Sequence, residues 1–274
     1  GLFAAEEIVS TSGTPIPADG LIEIITLNED GTATVKTDLP LGSYYVKELA
    51  TDSHYILSDT KYPVVFEYAG QDTAVVKINA NDGKAIENDL LYGSVSGKKV
   101  DEDGKVLAGA VIGLFRTDDG EFTKETALMT ATSKEDGSFS FEGIPYGTWH
   151  IREIEQPAGF VLDDTVYPVS IGKDAQVVEI KIVNKYIRGN IHLTKVDAEY
   201  PDNKLTGATF EVYKDSNGSG KLDDGDELLG TLTEKEIGSY EMKDLFYGRY
   251  FVKETKAPEG FVLDTGVSEV MIDT

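Results

Sequence analysis

Three glutamates stand at strand positions whose neighbours are apolar. In YGRYFVKETKAPEGFVLD (residues 247–264) Tyr250, Val252 and Glu254 alternate, so they share one face of a strand. Trp149, Ile151 and Glu153 do the same in YGTWHIREIEQPAGFVLD (146–163), as do Tyr44, Val46 and Glu48 in LGSYYVKELATDSHYILSD (41–59). Two other polar types end apolar rows. Val95, Gly97 and Lys99 share a face, as do Ile191, Leu193 and Lys195, while Val178, Ile180 and Ile182 lead to Asn184. Asn88 precedes Lys99 by eleven residues, and Asn184 precedes Lys195 by eleven again. Burying ionised groups without partners is costly. Burial lowers a lysine's pKa and raises a glutamate's, so a Lys–Glu pair can sit neutral. A neutral amine is a nucleophile, and a protonated carboxyl can hydrogen-bond the asparagine carbonyl and relay protons. Attack of the amine on the amide carbon, with loss of ammonia, would leave a Lys–Asn isopeptide bond. A bulge at Lys98 and Lys99 would turn Lys98 inward instead.

The glutamates recur at spacings of 105 and 101 residues, a tandem array of units of β-sandwich size. Short runs rich in Val, Ile, Tyr, Phe and Thr, punctuated by Asp-Gly, Asn-Gly and Pro, predict an all-β chain. The expected domains are 1–90, 91–187 and 188–274. GLF at 1–3 recurs at 113–115, so the first domain begins one strand late, with strands expected at LIEIITL, TATVKT, SYYVKE, YPVVFEY and TAVVKIN. In the second, strands are expected at SFSFEGI, WHIREI, YPVSI and VVEIKIVNKY. Short junctions predict a semi-rigid array. The 274 residues carry 49 acidic against 25 basic side chains, a formal charge of −24, which argues against nucleic acid or an anionic membrane as partner. No apolar run reaches membrane-spanning length. Gly1 and Thr274 read as fragment boundaries. The lack of cysteine fits a reducing cytosol or a bacterial exterior where disulfides are not used.

Lys-Val-Asp early in a repeat, Gly-Ala after it, the ETKAPEGF sentence and the closing Asn-Lys together resemble the collagen-adhesin B-type, or SpaA-type, repeats of Gram-positive surface proteins and pilins. The resemblance covers nearly the whole chain and is strongest in the second and third domains. It implies three prealbumin-like (inverse immunoglobulin-like) β-sandwiches and an autocatalytic Lys–Asn cross-link promoted by Glu. Carried over, Lys99, Glu153 and Asn184 form a complete trio. The first domain keeps Glu48 and Asn88, and the third keeps Lys195 and Glu254, with their missing partners expected beyond the two ends. The first copy reads KELATDSHY and lacks the Ala-Pro-x-Gly turn. The implied function is a stalk or shaft module of an extracellular, cell-wall-anchored adhesin or pilin, its partners being neighbouring domains of the same protein. The alternative is a set of adhesive domains that bind a host matrix protein or glycan. The chemistry is single-turnover and internal, so the chain is not expected to be an enzyme.

Residues 215–226, DSNGSGKLDDGD, match a twelve-position calcium loop: Asp215, Asn217, Ser219, the Lys221 carbonyl, Asp223 and Asp226 fall at the ligand positions and Gly220 at the turn. TFEVYK and ELLGTL flank it as strands, so calcium is expected at a hairpin tip of the third domain. The loop is similar to calcium loops in other Gram-positive surface repeats. His54, His150 and His192 lack ligand spacing and are expected on strand surfaces. Tyr62-Pro63 and Tyr167-Pro168 are expected at edge strands or turns. Neither continues into the Tyr-Pro-Lys-Asn motif by which backbone pilins are polymerised. No phosphate loop, nucleophile elbow or zinc motif occurs.

Overall fold

The computed structural model describes residues 1–9, 13–73, 76 and 78–273. Apart from one short 3-10 turn at Ala80–Gly83, their regular secondary structure is all strand. The first repeat holds β1 (Leu2–Ala4), β2 (Ile8–Val9), β3 (Pro15–Ile16), β4 (Leu21–Glu23), β5 (Gly42–Val46) and β6 (Tyr62–Phe66). The second holds β7 (Tyr92–Asp101), β8 (Val111–Arg116), β9 (Met129–Thr132), β10 (Ser138–Pro145), β11 (Gly147–Glu155), β12 (Phe160–Val161), β13 (Tyr167–Ile171) and β14 (Gln176–Tyr186). The third holds β15 (Arg188–Thr194), β16 (Thr209–Lys214), β17 (Glu227–Thr231), β18 (Thr233–Glu236), β19 (Ser239–Phe246), β20 (Gly248–Lys256) and β21 (Val267–Ile272). By compactness the chain forms two units. One comprises Gly1–Ser94, Gly143–Gly147 and Ser170–Gln176, and the other Val95–Glu142, Thr148–Val169 and Val177–Thr274.

One four-stranded sheet occurs in all three repeats. Its order is β4-β1-β5-β6 in the first, β9-β8-β11-β13 in the second and β17-β16-β20-β21 in the third. The registers coincide residue for residue: Leu2 faces Val46, Leu114 faces Ile151 and Val212 faces Val252. GLF at the chain start therefore occupies the strand that GLF at 113–115 occupies. Tyr62-Pro63 and Tyr167-Pro168 both lie on outermost strands, where a residue without an N–H costs no ladder bond. The second sheet of the second repeat is ordered β10-β7-β14-β12, and that of the third is β19-β15 with β18 outside β19.

Alternation put the apolar rows inside. Val95, Ile112, Leu114, Ile144, Ile151 and Ile182 are fully buried in the second repeat, and Val212, Tyr240, Tyr250 and Val252 fill the core of the third. Tyr44 and Tyr250 are buried with their hydroxyls donating to the carbonyls of Pro40 and Phe246, each at 2.6 Å. A buried phenol needs such a partner.

Two expected strands of the first repeat differ. LIEIITL is a strand only over Leu21–Glu23, and TATVKT is irregular, because the Glu23 carboxylate, not a neighbouring strand, accepts the N–H groups of Lys36 (3.2 Å) and Thr37 (3.0 Å). TAVVKIN includes residues 74, 75 and 77, which lie outside the described residues. His54 sits in a turn rather than on a strand, its backbone and ring both held by the Asp52 carboxylate.

Candidate cross-linking site

Lys99 lies near the end of β7, and Asn184 lies on the adjacent β14 of the same sheet. Glu153 reaches them from β11 in the facing sheet. Alternation decides between the two lysines: Lys98 points to solvent, whereas Lys99 is 0% exposed, with Glu153 and Asn184 at 1% each. Lys99 Nζ stands 3.7 Å from Glu153 Oε1, longer than a hydrogen bond. Neither atom has a hydrogen-bonding partner among the described residues, nor does Asn184 Oδ1. Burial pulls the Lys99 ammonium below its ordinary pKa, against the opposing charges of Glu153 and Asp163. Burial likewise pushes the Glu153 carboxyl up, against the hydrogen bonds it accepts. Both shifts favour a neutral amine beside a neutral acid, since a buried ion pair at this separation would not offset its desolvation.

The carboxyl faces the amide nitrogen rather than the amide oxygen that the sequence pattern suggested. Asn184 Nδ2 donates to Glu153 Oε2 at 2.6 Å and to the Val161 carbonyl at 2.7 Å. A main-chain carbonyl can only accept, so the nitrogen side of the amide is fixed by chemistry. Glu153 thereby spans both reacting nitrogens, Oε1 towards Nζ and Oε2 towards Nδ2. Cross-linking requires one proton to pass from Nζ to the departing nitrogen, and this carboxyl borders both ends of that path.

The same cradle is built in the other repeats. Glu48 Oε2 accepts from Asn88 Nδ2 at 2.8 Å, and Asn88 also donates to the Ile56 carbonyl at 3.0 Å. Each glutamate accepts a backbone N–H ten residues on: Ser58 for Glu48, Asp163 for Glu153 and Asp264 for Glu254, at 2.9, 2.7 and 2.8 Å. In the third repeat Lys195 Nζ lies 3.0 and 3.2 Å from the two Glu254 oxygens and retains some exposure. Among the described residues no asparagine side chain bonds Glu254, and no lysine pairs with Glu48. The structure thus brings together one full trio and two partial ones.

Of the backbone devices only the turn carries a sequence signature, Pro-x-Gly at 157–159 and 258–260. A register shift falls beside the glutamate on both β11 and β20, re-aiming the side chain as a β-bulge does. A turn then returns the chain to supply the N–H. Phe160 N donates to Pro157 O at 3.2 Å and Phe261 N to Pro258 O at 3.1 Å. The first repeat, despite lacking Ala-Pro-x-Gly, makes the same turn from Tyr55 N to Asp52 O at 3.0 Å, with the Asp52 side chain capping His54 N. An Asx turn replaces the proline.

The 215–226 loop does join antiparallel β16 and β17, Lys214 facing Glu227. Its oxygens are turned on its own N–H groups: Asp215 accepts from Ser219 and Gly220, Asp223 from Gly225, and Asp226 from Asp223. Ser219 Oγ donates to the Lys221 carbonyl, Asn217 Nδ2 donates to Asp223, and Arg249 stands 3.7 Å from Asp215. Among the described residues no three His, Cys, Asp or Glu side chains gather as a metal-holding group. His150 is half-buried on β11, and His192 is exposed on β15 with Glu241 3.1 Å away, so neither joins the site. No helix among the described residues is long and apolar enough to cross a membrane.

Comparison with known proteins agrees with this architecture. A family model described as SpaA, prealbumin-like fold domain, matches residues 7–84, 93–186 and 189–274. Serine-aspartate repeat-containing protein D of Staphylococcus aureus (strain Newman) is 22% identical over 272 residues, covering 88% of this chain and 19% of that protein. The chain thus spans about a fifth of the length of the curated relatives it matches. Among solved structures, the Bacillus anthracis TIE protein has a TM-score of 0.68 at 24% identity over 91% of this chain and 42% of that one, which shows the shared fold. A streptococcal ancillary pilin is 25% identical, covering 86% of this chain and 72% of that one, with a TM-score of 0.34.

Proposed function

The chain belongs to the SpaA prealbumin-like fold family through all three of its repeats, and on that premise we propose that it is a load-bearing stalk segment of a Gram-positive surface protein, covalently self-locked in its second repeat. The observation that carries the reading is the trio of Lys99, Glu153 and Asn184, buried together with Nζ and the amide oxygen unpartnered among the described residues. An amine left without a bond in a dry site is an expensive feature for a merely structural core. It is the arrangement a nucleophile needs.

The step is a transamidation. Nζ attacks Cγ of Asn184, the Nζ–Cγ bond forms, the Cγ–Nδ2 bond breaks and ammonia leaves. One proton moves from Nζ to Nδ2 through Glu153, and no oxidant or cofactor enters. The bond joins the first and last strands of the repeat's second sheet, so tension entering at β7 leaves at β14 through a covalent link instead of through the hydrogen-bond ladder. Such a module suits an extracellular position, anchored to the wall by segments outside these residues. Its action on itself is single-turnover, so it is not an enzyme in the ordinary sense.

Intact mass after full denaturation tests this. The chain should be short by one ammonia, with the deficit mapping to a branched Lys99–Asn184 peptide, and Glu153→Ala should restore the full mass. A full mass in folded protein refutes the reading.

A further inference from the structure

The grip on Asn184 is continuous with the joint to the next repeat. β12 is two residues long and is the outermost strand of its sheet, held to β14 by the pairs Phe160–Tyr186 and Val161–Lys185. A strand this short has little stability of its own. Its Val161 carbonyl is one of two acceptors that fix the Asn184 amide. Two residues earlier, the Gly159 carbonyl accepts the N–H of Ile187, whose own carbonyl accepts the N–H of Tyr247 at 3.0 Å. Ile187 is buried. Rings continue the contact: Phe160 lies against Tyr186 at 4.9 Å, and Phe246 meets Tyr186 edge-on at 5.2 Å. The Arg188 guanidinium caps Phe246 at 4.9 Å while pairing with Glu102 at 2.8 Å. Tyr186 also donates its hydroxyl to the buried Asp101, two residues from Lys99.

We propose that Phe246 and Tyr247 of the third repeat are positioning residues for the Lys99–Asn184 bond: docking of the third repeat seats β12, and β12 seats the asparagine. The inference rests on the cross-linking reading above. One observation within the chain supports it. The first repeat is built alike, with the Ile56 carbonyl on Asn88, the His54 carbonyl on the Leu91 N–H, and the Leu91 carbonyl on the Tyr146 N–H at 3.2 Å. An amide with two acceptors cannot rotate about its side chain, whereas losing the carbonyl frees it to turn its carbon away from Nζ. The consequence is an order of events, in which each repeat locks after its successor has folded against it.

The test uses the full chain made by cell-free synthesis, with the cross-linked fraction followed by intact mass from the first minutes. Phe246→Ala should slow ammonia loss by about tenfold, as misplacement of a reacting group does, and Phe246→Tyr should restore the rate. Phe246 is 44% exposed, so its truncation does not hollow the core. Arg188→Ala, on a solvated side chain, gives a second reading and should slow the reaction about two- to threefold, as loss of a cation–π contact predicts. Wild-type rates in Phe246→Ala and Arg188→Ala overturn the proposal while leaving the cross-link itself intact. A wild-type chain that never loses ammonia removes the premise, and with it the proposal.

Discussion

Lys99→Met separates a covalent lock from an ordinary buried pair by the sign of its effect. Lys99 is wholly enclosed, its Nζ unpartnered among the described residues, in a repeat whose fully buried side chains include Val95, Ile112, Ile151 and Ile182. If no bond forms, methionine of similar length removes a desolvated amine and should leave stability unchanged or raise it by about 1–4 kcal/mol, as replacements of buried ionic groups do. If the bond forms, its loss reopens a loop of about 85 residues, which the loop-closure estimate values at about 4–5 kcal/mol. For a domain of about 95 residues, with an unfolding entropy of about 0.2 kcal/mol/K, that is a fall of about 20 °C in Tm. Glu153 is not stranded by the change, since burial already pushes its carboxyl up towards the neutral form and it still accepts from Asn184 and Asp163. Calorimetry of the wild-type and Lys99→Met chains, each checked by intact mass, reads the difference. A Tm for Lys99→Met equal to or above that of the wild type refutes the lock.

The chain should lose one ammonia and not more, because Lys195–Glu254 and Glu48–Asn88 each lack a third member among the described residues; a second lost ammonia in intact mass would show a trio that the geometry does not hold. The rate of cross-linking should be level across neutral pH and fall at both ends, since the ionic and neutral forms of the Lys99–Glu153 pair carry the same number of protons and only gain or loss of one ends the reaction; a rate rising steadily with pH refutes the neutral-pair account. Burial works against the Asp101 carboxylate, yet the bonds from the Tyr186 hydroxyl and the Lys105 and Asp103 N–H groups hold its pKa below 3.8. Its folded pKa being depressed, the stability it contributes is present above 3.8 and lost as pH falls through the folded value. The same bond pushes Tyr186 up to about 12, so its contribution is complete below 10 and disappears as pH rises through about 12; acid and alkaline melts of Asp101→Asn should lack both limbs. Calcium, which the spacing of residues 215–226 proposes, would have to draw Asp215 away from Arg249. Added calcium should raise Tm and Asp215→Ala should abolish the rise, whereas an unmutated chain indifferent to calcium refutes the site.

The residues of the trio were legible because strand alternation is a one-dimensional property. A glutamate, lysine or asparagine in phase with an apolar row is visible without coordinates, and the internal repeat showed that the phase was no accident. The sheet shared by the three repeats was legible for the same reason, down to the two copies of GLF. Alternation could not say that Glu153 would meet Lys99 and Asn184 from the facing sheet. Nor could it say that its carboxyl would border the amide nitrogen instead of the oxygen. Those facts depend on the bulge beside Glu153, on the turn that brings back the Asp163 N–H, and on the Val161 carbonyl. The bulge and the carbonyl use backbone groups that every residue type possesses, and the turn forms with or without its Pro-x-Gly. The first repeat makes the point most plainly: it lacks the Ala-Pro-x-Gly sentence and still forms the turn, with Asp52 in place of proline. Spacing likewise gathered the candidate calcium ligands into one loop, while folding supplied the N–H groups and the Arg249 guanidinium that engage them. The sequence by itself determined which side chains face inward, since that follows from local periodicity. Only the tertiary structure decided which atoms they meet there, because hydrogen-bond partners across two sheets are set by long-range packing that no short stretch of chain encodes.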